Sequence, residues 1–586
     1  MTREAYPQSR TRRTRTIAAA AVLGAAVPGG LLTASAASAA SAASGAVGAL
    51  RPTPCTVSAL KSAIRAANVS GGTITLPSGC SITLAAPDNA TDGPTGLPVI
   101  TRNVTINGNG ATIARQAATA STPVPAFRLF NVAAGGRLTL NGLTLRNGFA
   151  DDGTNGGGAI FSLGTLNVSG VTFSGNQSPA ATGTSGGAIS SNNSSARLSV
   201  DRSAFTGNTA QEGGGIFTQS TTSVTNSTFT GNTATTFGGG GLVSAVGTTN
   251  ITGDTFSANS GPGGGAIDND ATVNITDSTF AGNTAGANGG GALQNFGSMA
   301  VAQSTVADNT SQFGANLHND PVAPASVTGP VYNPALRGRS QAALAQASTF
   351  TVRASIVSGG ISGGNCSGSA PFTDGGYNID SGTSCGFLTA NHSKNNTNPN
   401  LGPLAANGGP TRTLALPSGS SALNAIPPGT SGCAGTTDQR GIPRPQGTGC
   451  DIGAYERTVS GAIKGYKGKC VDNTGNAAAN GNKIQIWSCN GNPAQTWTYT
   501  TNGQLQTRGK CLDDTNFGTT NGTKMQLWSC TGRTNQEWTW HANGEFVNRY
   551  NGLCLDDTGF STTNGTRLQV WKCNNTANQH WTVPAG

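Results

Sequence analysis

Between Gly156 and Gly314 the chain repeats one unit six times: a Gly-rich turn, a short apolar strand, a second strand ending in Phe, and a closing Asn. The Gly-rich segments are Gly157-Gly-Ala-Ile160, Gly186-Gly-Ala-Ile189, Gly213-Gly-Gly-Ile216, Gly239-Gly-Gly-Leu242, Gly263-Gly-Gly-Ala-Ile267 and Gly289-Gly-Gly-Ala-Leu293. Phe173, Phe205, Phe229, Phe256, Phe280 and Val306 form one column; Asn176, Asn208, Asn232, Asn259, Asn283 and Asn309 form another. Most steps are 24 to 27 residues, which is room for three short strands and three turns. A unit of that size cannot bury its apolar face alone, so the units must stack as coils of a parallel β-helix. Stacking places like residues about 4.8 Å apart, which predicts an internal Phe stack and an Asn amide ladder in a turn. Such a ladder satisfies turn backbone and reads as scaffold rather than as a ligand-contacting stripe.

The rest of the composition agrees with many short strands. The chain has 586 residues, 86 of them Gly, with only 10% charged and 6% aromatic residues. That length exceeds a single compact core. The formal net charge is +9, and five Arg against one Glu near the N-terminus account for +4 of it, leaving about +5. So small and scattered a surplus argues against a nucleic-acid partner.

Arg10, Arg12, Arg13 and Arg15 precede an apolar stretch from Ile17 to Leu32, with small-residue cleavage candidates at Ala34-Ser-Ala36, Ala37-Ser-Ala39 and Ala40-Ser-Ala42. Residues 1–42 therefore read as a secretory signal peptide, since Pro28, Gly29 and Gly30 interrupt any membrane span. Twelve cysteines in an exported chain read as disulfides, and proximity offers Cys55–Cys80, Cys366–Cys385, Cys433–Cys450 and three C-terminal pairs. A secreted, extracellular monomer is expected.

Upstream of the coils, Val57, Leu60, Ile64 and Ala67 have helical spacing and precede strand-like Thr73–Leu76 and Ile82–Leu84. A short amphipathic helix there would cap the first open edge of a solenoid. Downstream, Asp438-Gln-Arg-Gly-Ile-Pro-Arg-Pro445 and Cys450-Asp-Ile-Gly-Ala-Tyr-Glu456 close the region. Taken together, the initial Cys-x-x-x-x-Leu-x-x-Ala-Ile, the Gly-Gly-Ala-Ile coils and this ending resemble secreted bacterial right-handed β-helix proteins of the pectate-lyase-like superfamily, over residues 55–456. That fold hosts lyases, hydrolases, adhesins and spacers alike.

Catalytic signals in the solenoid are sparse. A polysaccharide lyase needs a base for the proton α to the uronate, but no Lys lies between Lys61 and Lys394 and no Lys or Arg between Ser203 and Leu336. Arg128, Arg137, Arg146, Arg197 and Arg202 stand nearer the start. No Gly-His-Gly of the polygalacturonase kind is present, and His318 is the coil histidine. The remaining candidates are Asp268 and Asp270, expected just after a strand: either a calcium site or acid catalyst, or a solvated turn. Calcium there is the one cofactor considered; otherwise none is expected.

The last 126 residues carry a different repeat. Cys470-Val-Asp, Gln485-Ile-Trp-Ser-Cys489 and Gln495-Thr-Trp497 recur as Cys511-Leu-Asp, Gln526-Leu-Trp-Ser-Cys530 and Gln536-Glu-Trp538, then as Cys554-Leu-Asp, Gln569-Val-Trp-Lys-Cys573 and Gln579-His-Trp581, at about 40-residue intervals. Residues 461–586 thereby resemble the ricin-type β-trefoil lectin, used also as a carbohydrate-binding module. The resemblance implies buried Trp497, Trp538 and Trp581 on the pseudo-threefold axis. It assigns sugar contacts to Asp513, Gln526, Trp528, Asn535 and Gln536 in the second repeat and to Asp556, Gln569, Trp571, Asn578 and Gln579 in the third. In the first repeat Asp472, Gln485, Trp487 and Gln495 remain while Ala494 replaces the Asn, which predicts a weak or dead site. The overall expectation is an all-β, secreted glycan-binding protein whose β-helix either acts on the same polysaccharide or serves as a spacer or adhesin.

Overall fold

The computed structural model describes residues 52–582, apart from 120, 122, 152, 154, 180–185, 287–288, 313–315, 322–347, 361–363, 431–432, 434–435, 447, 459, 501–502 and 542. The expected signal peptide lies outside the described residues. Among those described, no helix is long and apolar enough to cross a membrane.

The helix Val57–Ser70 begins at Thr56, whose hydroxyl accepts the Ala59 N–H at 3.2 Å and so satisfies one of the orphan donors of the first turn. It buries Leu60, Ile64 and Ala67 against the same core as the coils. The disulfide Cys55–Cys80 pins its start to strand Ser81–Leu84. This is the expected cap.

Beyond it the chain winds into parallel sheets of 20, 9 and 5 strands, with neighbours contributed by successive coils. Ile189 lies between Ile160 and Ile216 in register, and Phe205 between Phe173 and Phe229. The five phenylalanines stack with ring centroids 4.4 to 5.0 Å apart, all fully buried. The Asn column forms the predicted ladder: each Nδ2 donates to the Oδ1 one coil on, at 2.8 to 2.9 Å, from Asn176 through Asn309. It continues through Asn316 and Asn365 to Asp380. Each rung also donates to backbone; Asn232 Nδ2 reaches Phe205 O at 2.9 Å.

Two further ladders accompany it. Asn269, Asn295 and Asn319 are linked by amide hydrogen bonds of 2.8 and 2.9 Å. A Ser column at the opposite edge receives the backbone N–H of the preceding coil, as in Ser203 N to Ser227 Oγ at 3.0 Å. Asp254 replaces Ser in that column and accepts the N–H groups of Ser227 and Thr252.

The segment ending in Glu456 folds back over the coils. Thr255 donates to Arg412 O, Thr279 to Gln439 Oε1, and Thr305 accepts the Ala454 N–H, so this threonine row is buried. Arg440 pairs with Asp438 at 2.7 Å, and Arg444 with Glu456 at 3.0 Å and Asp277 at 3.5 Å. Asp438, Arg440, Arg444 and Glu456 are thus paired inside the fold.

Residues from Ser460 onward form antiparallel sheets of seven and four strands around a separate core. Trp497, Trp538 and Trp581 are buried in it, each donating its indole N–H to the second residue of the corresponding Cys-x-Asp, namely Val471, Leu512 and Leu555. All twelve cysteines are paired as the spacing suggested. The chain is therefore a parallel β-helix with a C-terminal β-trefoil.

Candidate functional site

In the second trefoil repeat, strand Lys510–Asp514 runs antiparallel to Met525–Trp528. Side chains alternate across a strand; Leu512 and Leu527 enter the core, while Asp513 comes opposite Gln526 and Cys511 opposite Trp528. Gln526 Nε2 donates to Asp513 Oδ1 at 2.8 Å. The 3-10 turn Thr534–Gln536 then delivers Asn535 Nδ2 and Gln536 Nε2 to Asp513 Oδ2, each at 2.8 Å. Three amide donors fix one carboxylate. Beside it Trp528 is 39% exposed.

The third repeat reproduces this arrangement. Gln569 donates to Asp556 Oδ1 at 2.9 Å, and Asn578 and Gln579 donate to Oδ2 at 2.8 and 3.0 Å. Burial pushes the Asp556 carboxyl up, against the lowering effect of those three amides. Trp571 is 39% exposed. In the first repeat Gln485 and Gln495 still hold Asp472, at 2.9 and 3.1 Å, but the third donor is missing because Ala494 fills its place. Gln495, Gln536 and Gln579 are buried, and each also donates to a loop carbonyl, so they orient the carboxylate from behind rather than face solvent.

Each pocket has a wall that sequence reading did not supply. The loops Asn480-Gly-Asn-Lys483, Asn521-Gly-Thr-Lys524 and Asn564-Gly-Thr-Arg567 come from a different repeat than the pocket they border. A Cβ at Gly522 would lie 3.9 Å from both Gln569 and Trp571, and one at Gly565 the same distance from Gln485 and Trp487. Asn480 Oδ1 accepts the Ser529 N–H, and Asn521 Oδ1 the Lys572 N–H. Lys524 reaches Gln569 Oε1 at 2.8 Å and Thr558 Oγ1 at 3.3 Å. The repeated Asn-Gly-x-Lys/Arg was the available signal, visible once the three copies are aligned.

In the β-helix the acidic candidates sit otherwise than expected. Asp268 lies within strand Ile267–Asn269 rather than after it, in register with Val243 and Gln294, and both Asp268 and Asp270 are buried. They are not a solvated turn. Loop residues such as Gly238 and Gly263 cover this face: a Cβ at Gly263 would lie 2.8 Å from Asp268 Oδ2. Glu212, also buried, completes a cluster of three mutually repelling carboxylates; its oxygens have no hydrogen-bond partner, and burial, with Asp270 adding to it, raises its carboxyl to about 8. Asp268 is raised strongly by burial and by Asp270 and Glu212. Among the described residues, the group of potential metal ligands that converges within 4.8 Å is Glu545, Cys554 and Cys573, whose two sulfurs are already bonded to each other. Arg128 is buried against backbone carbonyls and the Phe161 ring, and Arg202 pairs with Asp201. His318 donates or accepts between Ser367 and Asp320.

The C-terminal domain is a β-trefoil with a carboxylate–tryptophan pair in each repeat, and the family comparison finds a lectin-type domain there. Residues 459–581 match the model of the ricin-type β-trefoil lectin domain, and residues 170–195 match the Chlamydia polymorphic membrane protein repeat. Similar solved structures include the designed threefold-symmetric protein ThreeFoil, 26% identical over 21% of this chain and 97% of that one, TM-score 0.21. The agglutinin of Abrus precatorius is 28% identical over 23% of this chain, TM-score 0.21, and the match spans about half of it, 51%. An exo-β-1,3-galactanase from Clostridium thermocellum is 23% identical over 23% of this chain and 32% of that one, TM-score 0.21. A search of curated protein sequences finds no match.

Proposed function

We propose that this is an exported polysaccharide-binding protein, attached to its glycan through the second and third trefoil pockets. The observation that carries the reading is the triply anchored carboxylate, Asp513 or Asp556, beside a half-exposed tryptophan. A carboxylate whose own orientation is fixed accepts sugar hydroxyls at a set angle, and the indole takes the C–H side of the ring. Galactose- or xylose-type units are the proposed ligands. Two pockets on one rigid domain engage a polymer more tightly than either alone, because the second contact is intramolecular. Six disulfides with no free cysteine support an oxidising, extracellular destination.

For the β-helix we propose a stiff carrier rather than a hydrolase. Glycoside hydrolysis needs two carboxylates flanking an accessible sugar. The Glu212, Asp268 and Asp270 cluster is covered, and the open groove of about 480 Å³ between the coils and the Leu401–Leu414 segment has Asp308 as the one carboxylate in its lining. The deciding experiment incubates the full chain with pectin, xylan, arabinan, alginate and galactan. Retention on at least one of them, without reducing ends or unsaturated uronates, is the expected result; product release would overturn the carrier assignment, and absence of retention the glycan-binding one.

A further inference from the structure

Two aromatic pairs, each with one exposed and one half-buried ring, lie outside the pockets, and among the described residues they occur beside the complete ones. Phe517 meets Tyr550 edge to face with centroids 5.3 Å apart, and Phe560 meets Tyr466 likewise at 5.6 Å. Tyr550 is 46% and Phe560 47% exposed, while Trp497, Trp538 and Trp581 take the buried aromatic duties of the trefoil. Phe517 and Phe560 each stand four residues after the pocket aspartate, in the turn that follows it. The Arg533 guanidinium lies 5.7 Å over the Phe517 ring, and Arg533 is the residue that leads into the turn bearing Asn535 and Gln536. The turn Tyr466–Gly468 packs against the turn Ala577–Gln579, which bears Asn578 and Gln579. Both pairs therefore continue the pocket surface on its amide side.

Backbone conformation gives an independent indication. Phe517 has φ +55° and Phe560 φ +54°, the left-handed region that costs a bulky residue about 1 kcal/mol or more and is tolerated most easily by Gly or Asn. The first repeat makes the inexpensive choice, Asn476 at φ +54°, and the position four residues before the cysteine that is Tyr466 or Tyr550 elsewhere is Thr507 on its side. That is the repeat whose pocket has lost its amide. Strain retained at a surface ring, where it contributes nothing to the core, is characteristic of ligand contacts.

We propose that Phe517 with Tyr550, and Phe560 with Tyr466, form a second platform beside pockets two and three that stacks on the next pyranose of the same glycan chain. The proposal rests on the pocket reading above and extends it from a single sugar to two consecutive ones. In each pair one ring, Tyr550 or Phe560, keeps nearly half its surface in solvent while a cation lies over its partner, and an exposed aromatic face suits the C–H side of a pyranose. Each binding site then prefers chain segments over free monosaccharide.

Calorimetry on the full chain, with galactose, xylose, β-1,3-galactotetraose and β-1,4-xylotetraose, tests this. The parent should bind the matching tetrasaccharide more tightly than its monosaccharide, and Phe517→Asn with Phe560→Asn should reduce that ratio about tenfold, the scale of one stacking contact. These changes copy the first repeat and relieve the left-handed strain, so the melting temperature should hold or rise. Tyr466→Thr with Tyr550→Thr, copying Thr507 at the equivalent position, should do the same. An unchanged ratio in both variants, or no length preference in the parent, would overturn the platform. Equal loss of mono- and tetrasaccharide binding would place the rings in the primary pocket, and a change in sedimentation would assign them to self-contact; either overturns it. A parent that binds no sugar would instead remove the pocket reading beneath it.

Discussion

Asn535 donates its Nδ2 to Asp513 Oδ2 at 2.8 Å, and the corresponding place beside Asp472 is held by Ala494, which has nothing to donate. The two repeats otherwise superpose bond for bond around the carboxylate, so this one amide separates a complete pocket from an incomplete one. Asp513→Ala with Asp556→Ala should abolish retention on polysaccharide resin while unfolding stays cooperative. Asp472→Ala should change little. Undiminished retention by the double variant would remove the assignment.

The same difference can be run backwards. Ala494→Asn restores a donor within the turn Pro493–Gln495, where Ala494 is already close behind Asp472. A third working pocket should raise avidity for polymer several-fold by the multivalent effect, and frontal affinity chromatography of this single variant measures it.

Reduction should act on the two halves unequally. The three trefoil disulfides each span 19 residues, and closing such a loop contributes about 3 kcal/mol by the loop-entropy estimate. The coil stack depends instead on ladders and apolar columns. With dithiothreitol, tryptophan fluorescence from the trefoil should unfold at lower temperature than the far-ultraviolet signal of the coils; coincident transitions would refute this.

The acidic cluster gives a pH dependence of defined sign. Burial raises Glu212 from 4.5 to about 8, so the folded state holds a proton there that the unfolded chain has released. Its stabilising contribution is complete below about 4.5 and is lost as pH rises through about 8, by an amount on the order of a few kcal/mol. Asp268, raised by burial and by its neighbours Asp270 and Glu212, acts in the same direction. Glu212→Gln mimics the protonated form, so its melting temperature should match the parent's at pH 5 and exceed it at pH 9. Parallel curves would contradict the burial.

An interior rung of the Asn ladder should be costly to remove. Asn232 Oδ1 accepts both the backbone N–H and the Nδ2 of Asn208, and its Nδ2 serves Phe205 O and Asn259 Oδ1. Asn232→Ala leaves these buried groups without partners at about 2–3 kcal/mol, readable in chemical denaturation.

What the sequence made legible was whatever repeats. The Phe and Asn columns, the helix cap and the Gln-x-Trp tryptophans each follow from spacing, since stacking or threefold symmetry converts a period into a contact. Glu212 approaches Asp268 and Asp270 from a different coil, at no repeating offset, and its burial depends on loops that have no fixed length. The threonine row at Thr255, Thr279 and Thr305 is covered by a segment more than a hundred residues later in the chain. The Asn-Gly-x-Lys/Arg loops did repeat, but their role is carried out on a neighbouring repeat's pocket, and inspection of one copy conceals it. The placement of Asp268 after a strand failed because only the covering loops, not the local pattern, keep that position from water.

Every amide-to-amide bond from Asn176 to Asn309 points the same way, from one Nδ2 to the Oδ1 of the following coil, and the backbone bonds of the rungs reach only the adjacent coil. A coil can accordingly be duplicated or deleted as a whole by a single in-frame event, with the rungs on either side simply joining hands. The reach of such an arm is quantised in increments of about 4.8 Å, a length that selection can adjust like links in a chain without redesigning a single contact.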